Sequence, residues 1–159
     1  MNYRAFSHAP DAIMVLAKTH LNDYAQIRGA ELGITMPVLT DFFDYDPGPL
    51  AGGDWRFQVW SEDGPTHLDG GGDNIVAWSE LTLLVGVRGT SGDLGSLAHT
   101  LRAFNDAMMR MFADEAGRGE GTGIVDVTRA TMSLPLKGEK SDWYAHSAGL
   151  RVVFRCAEA

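Results

Sequence analysis

The stretch from Asp73 to Ala116 constrains the fold most tightly. Leu81, Leu83, Val85 and Val87 recur at every second position, with Glu80, Thr82, Gly86 and Arg88 between them. Successive side chains of a strand point to opposite faces, so Ile75–Val87 is expected to be one long strand with a greasy face and a mostly polar one. A glycine-rich turn follows. Leu94, Leu97, Leu101, Phe104, Met108 and Met111 then recur at spacings of three and four, the signature of a helix with a single apolar stripe. Laying that helix across the apolar face of the sheet buries both surfaces at once.

The flanking segments fit the same plan. Pro10 suits the first turn of a helix and Asp11 its positive end, and Ile13, Leu16, Ala17, Leu21, Tyr24 and Ile27 continue as a stripe that Gly29 or Gly33 would end. Met36–Tyr45 reads as a strand or packed loop, because Pro37 excludes a helix interior. The Asp44–Pro49 run is a turn. Trp55, Phe57 and Val59 alternate with Arg56, Gln58 and Trp60, which predicts a second strand. Ser61–Asn74, rich in glycine and acid, is expected to be a long mobile loop anchored only by Leu68. After the second helix, Ile124–Leu136 and Trp143–Cys156 form a hairpin around the charged tip Lys137–Asp142, with Leu150, Val152, Phe154 and Cys156 on one face. The expected fold is α+β: a mostly antiparallel sheet of four to five strands, two helices on one face, in the order α-β-β-β-α-β-β.

At 159 residues the chain reads as a single domain, 1–159, able to bury a core without staples. The net charge of −8 argues against a general affinity for nucleic acid. One cysteine, Cys156, cannot form an internal disulfide, and no signal peptide or spanning segment is evident, so a cytoplasmic product is expected.

Candidate chemistry is sparse. Gly89–Ser96 lies between a strand and a helix, where phosphate loops sit, yet it lacks the P-loop lysine and carries Asp93 in its mouth. The alternative is a helix cap made by Ser91 or Asp93. Asp63, His67, Asp69 and Asp73 offer metal-type ligands at a spacing that matches no calcium or zinc motif; the alternatives are a solvated acidic loop or one that orders on a partner. His8, His20, His67, His99 and His146 are scattered, with no nucleophile signature beside them. Trp60, Trp78 and Val153 fall on strand faces opposite the core stripes, which suggests a second face covered by another copy of the chain; the alternative is a scatter of singly exposed apolar residues.

The order of elements, the acidic charge and several segments together resemble the tail terminator (tail completion) proteins of long-tailed bacteriophages. The points of likeness are the opening helix Pro10–Arg28, the Met36-Pro37-Val38 entry, the Trp55–Trp60 strand, and the Glu80–Gly89 block leading into Leu94–Phe112. The resemblance spans nearly the whole chain and is one of architecture. It implies a non-enzymatic virion protein with no cofactor and no bound metal. Such proteins form a hexameric ring on the head-proximal end of the tail tube and end its growth. The ring meets the tube protein below and the head–tail connector above, and DNA passes through the hole without specific binding. The implied location is the neck region of the virion, after assembly in the host cytoplasm. A rotationally closed ring needs two different patches on each subunit. One expectation puts Trp60, Trp78 and Arg88 in ring contacts. A second puts Glu62, Asp63, Asp69 and Asp73, with Lys137, Glu139 and Lys140, against axial neighbours or the lumen. The alternatives are another neck or tail-tube-related ring protein, and a small-molecule or phosphate-binding α+β domain using the 89–96 loop.

Overall fold

A computed structural model describes residues 8–63, 66–69, 76–115, 124–130, 136–137 and 142–158. The chain runs α1 (His8–Leu16), a π-helical turn (Ala17–Leu21), α2 (Asn22–Leu32), β1 (Asp41–Phe43), β2 (Trp55–Asp63), β3 (Thr66–Asp69), β4 (Val76–Ser91), α3 (Leu94–Glu115), β5 (Ile124–Arg129), β6 (Leu136–Lys137) and β7 (Tyr144–Glu158). The sheet follows the path β1-β2-β4-β7-β5, with β3 added on β4 and β6 on β7. All described pairings are antiparallel except β1 with β2. The α+β fold with helices on a mostly antiparallel sheet is therefore the one observed, with β3 and β6 as short additions.

The core lies between the helices and one face of the sheet. Phe57 and Val59 from β2, Leu81, Leu83, Val85 and Val87 from β4, and Leu150, Val152 and Phe154 from β7 meet Leu97, Leu101, Phe104, Met108 and Met111 of α3. Truncating a buried phenylalanine such as Phe104 to alanine costs about 3–5 kcal/mol. Leu94, expected in the stripe, is 40% exposed because it opens the first turn of α3. At 22 residues α3 is about 33 Å long, whereas the 16 residues of β4 reach about 54 Å. The central ladder thus outreaches the helix that covers it.

The first helical rod differs from expectation in one instructive way. Ile13, Ala17, Leu21 and Ala25 are all fully buried, but Ile27 is 53% exposed. A strict spacing of four drifts by roughly 40° per step around an α-helix of 3.6 residues per turn. The π turn at Ala17–Leu21 absorbs about one residue, as a π-bulge does. Positions twelve apart across it then align: Ile13 with Ala25 inside, Val15 with Ile27 outside. Gly33 ends the rod at φ 71°, donating to Ala30 O while Ile34 N donates to Gly29 O, a paired-bond glycine cap. Gly29 lies within the helix instead, where a Cβ would overlap the Met36 side chain.

Ser61–Asn74 departs most from expectation. β2 continues to Asp63, and Thr66–Asp69 forms β3, each residue paired with β4 from Ser79 to Val76. The extra length of β4 gives these backbone groups partners, so strand pairing replaces the expected loop at 61–63 and 66–69; residues 64–65 and 70–74 lie outside the described residues. The expected Ile124–Leu136 strand is not found as one element: β5 ends at Arg129 and Leu136 belongs to β6, while residues 131–135 lie outside the described residues. Lys137 belongs to β6, opposite Tyr144, rather than to a hairpin tip.

Ion pairs fasten the rod to α3. Arg28 reaches both Glu31 (2.8 Å) and Asp106 (3.0 Å), Arg110 reaches Glu31 (3.1 Å), and Arg129 of β5 reaches Asp106 (3.2 Å). Hydrogen bonds from Arg110 and then Arg28 hold the Glu31 carboxyl below its usual range.

Candidate functional site

With the helices on one face, the other face of the sheet stands open over much of its extent. Alternation places Trp60, Thr82, Leu84, Arg88, Arg151 and Val153 there, opposite the buried Val59, Leu83, Val87, Leu150 and Val152. Trp60 occupies an irregularity: Val59 pairs with Val85 and Ser61 with Leu84, so the tryptophan is the extra residue of a bulge. Trp60, Leu84, Arg88 and Val153 are half-buried and Arg151 is exposed. Between the two arginines, Gly86 pairs with Gly149. A Cβ on Gly86 would overlap the Ala148 carbonyl, so this close approach of strands requires glycine.

The 43–54 segment folds over one end of that face, which the sequence did not announce. Arg56 (7% exposed), Gln58 (0%) and Thr90 (3%) are buried there although all three are polar. Arg56 Nε donates to Gln58 Oε1 (2.6 Å), its Nη2 donates to the Gly48 carbonyl, and the guanidinium lies 6.0 Å from the centre of the Phe43 ring. Asp46 sits 3.6 Å from Arg56. Burial pulls the Arg56 guanidinium below its usual range and neighbouring Arg88 adds to this, while Asp46, Asp54 and Asp41 oppose it. Thr90 Oγ1 accepts from Gly53 N (2.8 Å), pinning the segment. The Gln58 Nε2 donor has no partner among the described residues.

Arg88 and Arg151 have no hydrogen-bond or ion-pair partner among the described residues. They stand in mid-sheet, with Asp41 and Asp126 on the strands at its two edges. In a chain of net charge −8, two unpaired cations among half-buried apolar side chains favour an anionic, partly apolar partner.

The other expected contact residues are scattered. Trp78 lies in β4, between His67 of β3 and Ala157 of β7. Glu62 and Asp63 lie in β2 opposite Leu83 and Thr82, and Asp69 lies in β3 opposite Val76. Asp73, Glu139 and Lys140 lie outside the described residues. Among the described residues, no group of three or more His, Cys, Asp or Glu is placed to hold a metal ion.

The 89–96 segment is a cap. β4 runs on to Ser91, leaving a two-residue turn before α3. Asp93 Oδ1 accepts from Gly95 N (2.9 Å) and Ser96 N (3.4 Å), and Ser91 Oγ accepts from Asp93 N (3.1 Å). The amides that a phosphate would use are thus taken by a carboxylate of like charge. An adjacent depression of ≈ 320 Å³ is lined by Thr35, Met36, Pro37, Trp55, Thr90, Ser91, Ser96, Leu97 and Thr100, a set with no ionisable side chain. His146 is half-buried, and burial lowers its pKa. Cys156 lies in β7 opposite Ser79. No helix among the described residues is long and apolar enough to cross a membrane.

No protein-family model and no curated protein matches the chain. Among solved structures, a chain of the "Virion of native gene transfer agent (GTA) particle" is similar at 16% identity and a TM-score of 0.37, covering 86% of this chain and 92% of that one. At that level of superposition the likeness establishes neither a shared fold nor a shared role.

Proposed function

We propose that the chain is a non-catalytic structural protein of a phage-like particle. In this reading six copies form a ring on the head-proximal end of a tail tube, stop its growth and present the surface that joins the head connector, with DNA passing through the hole. The observation that carries the reading is the open sheet face, where Trp60, Leu84 and Val153 lie beside Arg88 and Arg151, which have no ion-pair partner among the described residues. Isolated exposed apolar residues are ordinary, but an apolar strip with uncompensated charge across three neighbouring strands is what an assembly contact requires. The length of the β4–β7 ladder beyond α3 supplies further surface for neighbours in the ring or along the axis. The capped start of α3 weighs against the phosphate-binding alternative.

Native mass measured across a concentration series, with electron-microscope class averages of the heaviest species, tests the proposal. A closed six-fold ring with an axial hole is the expected result. A stable dimer, or a monomer at every concentration up to the solubility limit, overturns it.

A further inference from the structure

A second unexplained surface lies on the helical side. Across the π turn, Asp11 aligns with Asp23 and Val15 with Ile27, since each pair is twelve residues apart. All four are exposed, Val15 at 65% and Ile27 at 53%. Neither aspartate has a hydrogen-bond or ion-pair partner among the described residues. Val38, next to the Leu39 that is hydrogen-bonded to Asn22 of this rod, is 64% exposed. Lys18 is the one lysine of the rod, and the arginine Arg28 is turned to Glu31 and Asp106.

The helical stripe is apolar and carries Asp11 and Asp23, with Lys18 between them in sequence; the open sheet face is apolar and carries Arg88 and Arg151 at its centre, with Asp126 opposite Val153 toward its edge. The two lie on opposite sides of a two-layer molecule. Asp11 and Asp23 are about 18 Å apart along the rod; Arg88 and Arg151, four residues apart in the β4–β7 register, are about 14 Å apart along the strands. Arginine side chains span the difference. We infer that the Asp11–Val15–Asp23–Ile27 stripe of one copy seats on the Trp60–Leu84–Arg88–Arg151–Val153 face of the next. The contact is head-to-tail and uses two different patches of one chain, so it excludes a two-fold dimer and gives a closed ring where the rotation between copies closes, as the ring reading requires. It rests on the ring reading above and adds which surfaces meet.

Two double variants test it. Asp11→Arg with Asp23→Arg makes the helical stripe basic; Arg88→Glu with Arg151→Glu makes the sheet face acidic. Each variant alone places like charges across the contact, and its self-association is expected to fall at least tenfold in sedimentation velocity. An equimolar mixture restores opposite charges at every contact, and an oligomer of alternating copies at wild-type mass is expected. Matching thermal transitions and circular dichroism establish that the variants fold. If the wild type assembles and either variant assembles as well as it does, or the folded variants fail to assemble when mixed, the pairing of faces is overturned and the ring reading stands. If the wild type itself stays monomeric, both fall. If a variant fails to fold, the single substitutions Asp23→Arg and Arg151→Glu, tested alone and mixed, decide by the same criterion.

Discussion

Asn22 and Leu39 are joined by two hydrogen bonds: Leu39 N donates to Asn22 Oδ1 (2.8 Å) and Asn22 Nδ2 donates to Leu39 O (2.9 Å). A helix side chain thereby stands in for a neighbouring strand, satisfying the backbone of an extended segment that has no ladder of its own. Gln26 Nε2 does the same at Met36 O (3.3 Å). Together they hold Met36 and Leu39 in the core beneath the rod.

Asn22→Ala removes both bonds and strands the Leu39 backbone groups. The expected loss is about 1–3 kcal/mol, read as a lower urea midpoint at unchanged slope. Asn22→Asp keeps the acceptor and loses the donor, so it is expected to fall between the two. Equal stability of Asn22→Ala and wild type would show that water replaces the pair at no cost.

Gly86→Ala is expected to be severe. The new methyl would overlap the Ala148 carbonyl oxygen and its carbon, which are backbone atoms of the central β4–β7 ladder and cannot rotate away. Overpacking of this kind costs about 1–3 kcal/mol or more. Gly92→Ala, where the nearest neighbour lies at 3.4 Å, serves as the mild control in the same thermal melt.

The alkaline limb of stability depends on Tyr24. Its hydroxyl donates to Glu115 (2.9 Å) and Asp114 (3.2 Å), and the bond to Glu115, followed by burial, pushes its pKa up to about 12 from 10.0. A phenol that binds its proton more tightly when folded contributes stability in full below pH 10 and loses it as pH rises through about 12. Between those limits the melting temperature of wild type is expected to fall more steeply than that of Tyr24→Phe. Parallel curves would exclude the tyrosine from the alkaline transition.

Much of the architecture was legible because burial on one face imposes period. Leu81–Val87 and Leu97–Met111 each repeat at the interval of the element they form, and both stripes are buried as that interval requires. A strand within Met36–Tyr45 was legible, and β1 is found there, but its parallel pairing with β2 and the short β3 were not: their partners lie on β2 and β4, so tertiary pairing rather than local pattern creates them. The candidate surface was half legible. Trp60 and Val153 do share the open face, as alternation implied, and Arg88 joins them. Arg56, Gln58 and Thr90 alternate identically yet are buried, because the 43–54 segment returns over them, and no period encodes a returning loop.

The misplacement of Ile27 has its own consequence. If the π turn accommodates one residue beyond regular α-helix, deleting an exposed residue within it restores regular geometry and keeps every buried position in phase. Thr19 is such a residue: it is exposed, and its Oγ1 donates to the Val15 carbonyl (2.6 Å) one turn back. With Thr19 removed, Ala17 and Leu21 become three apart, Ile13 and Ala25 eleven apart, and both pairs still share the inner face. The deletion is therefore expected to change stability by less than about 1 kcal/mol, within the range of ordinary surface substitutions. Deleting Gln26, in regular helix, rotates Gly29 and the cap at Gly33 by about 100° relative to Leu21. It also removes the bond to Met36, so a loss of several kcal/mol is expected. Urea denaturation of the two deletions decides it: comparable damage from both would mean that the π turn is fixed by its contacts with α3 rather than by the extra residue.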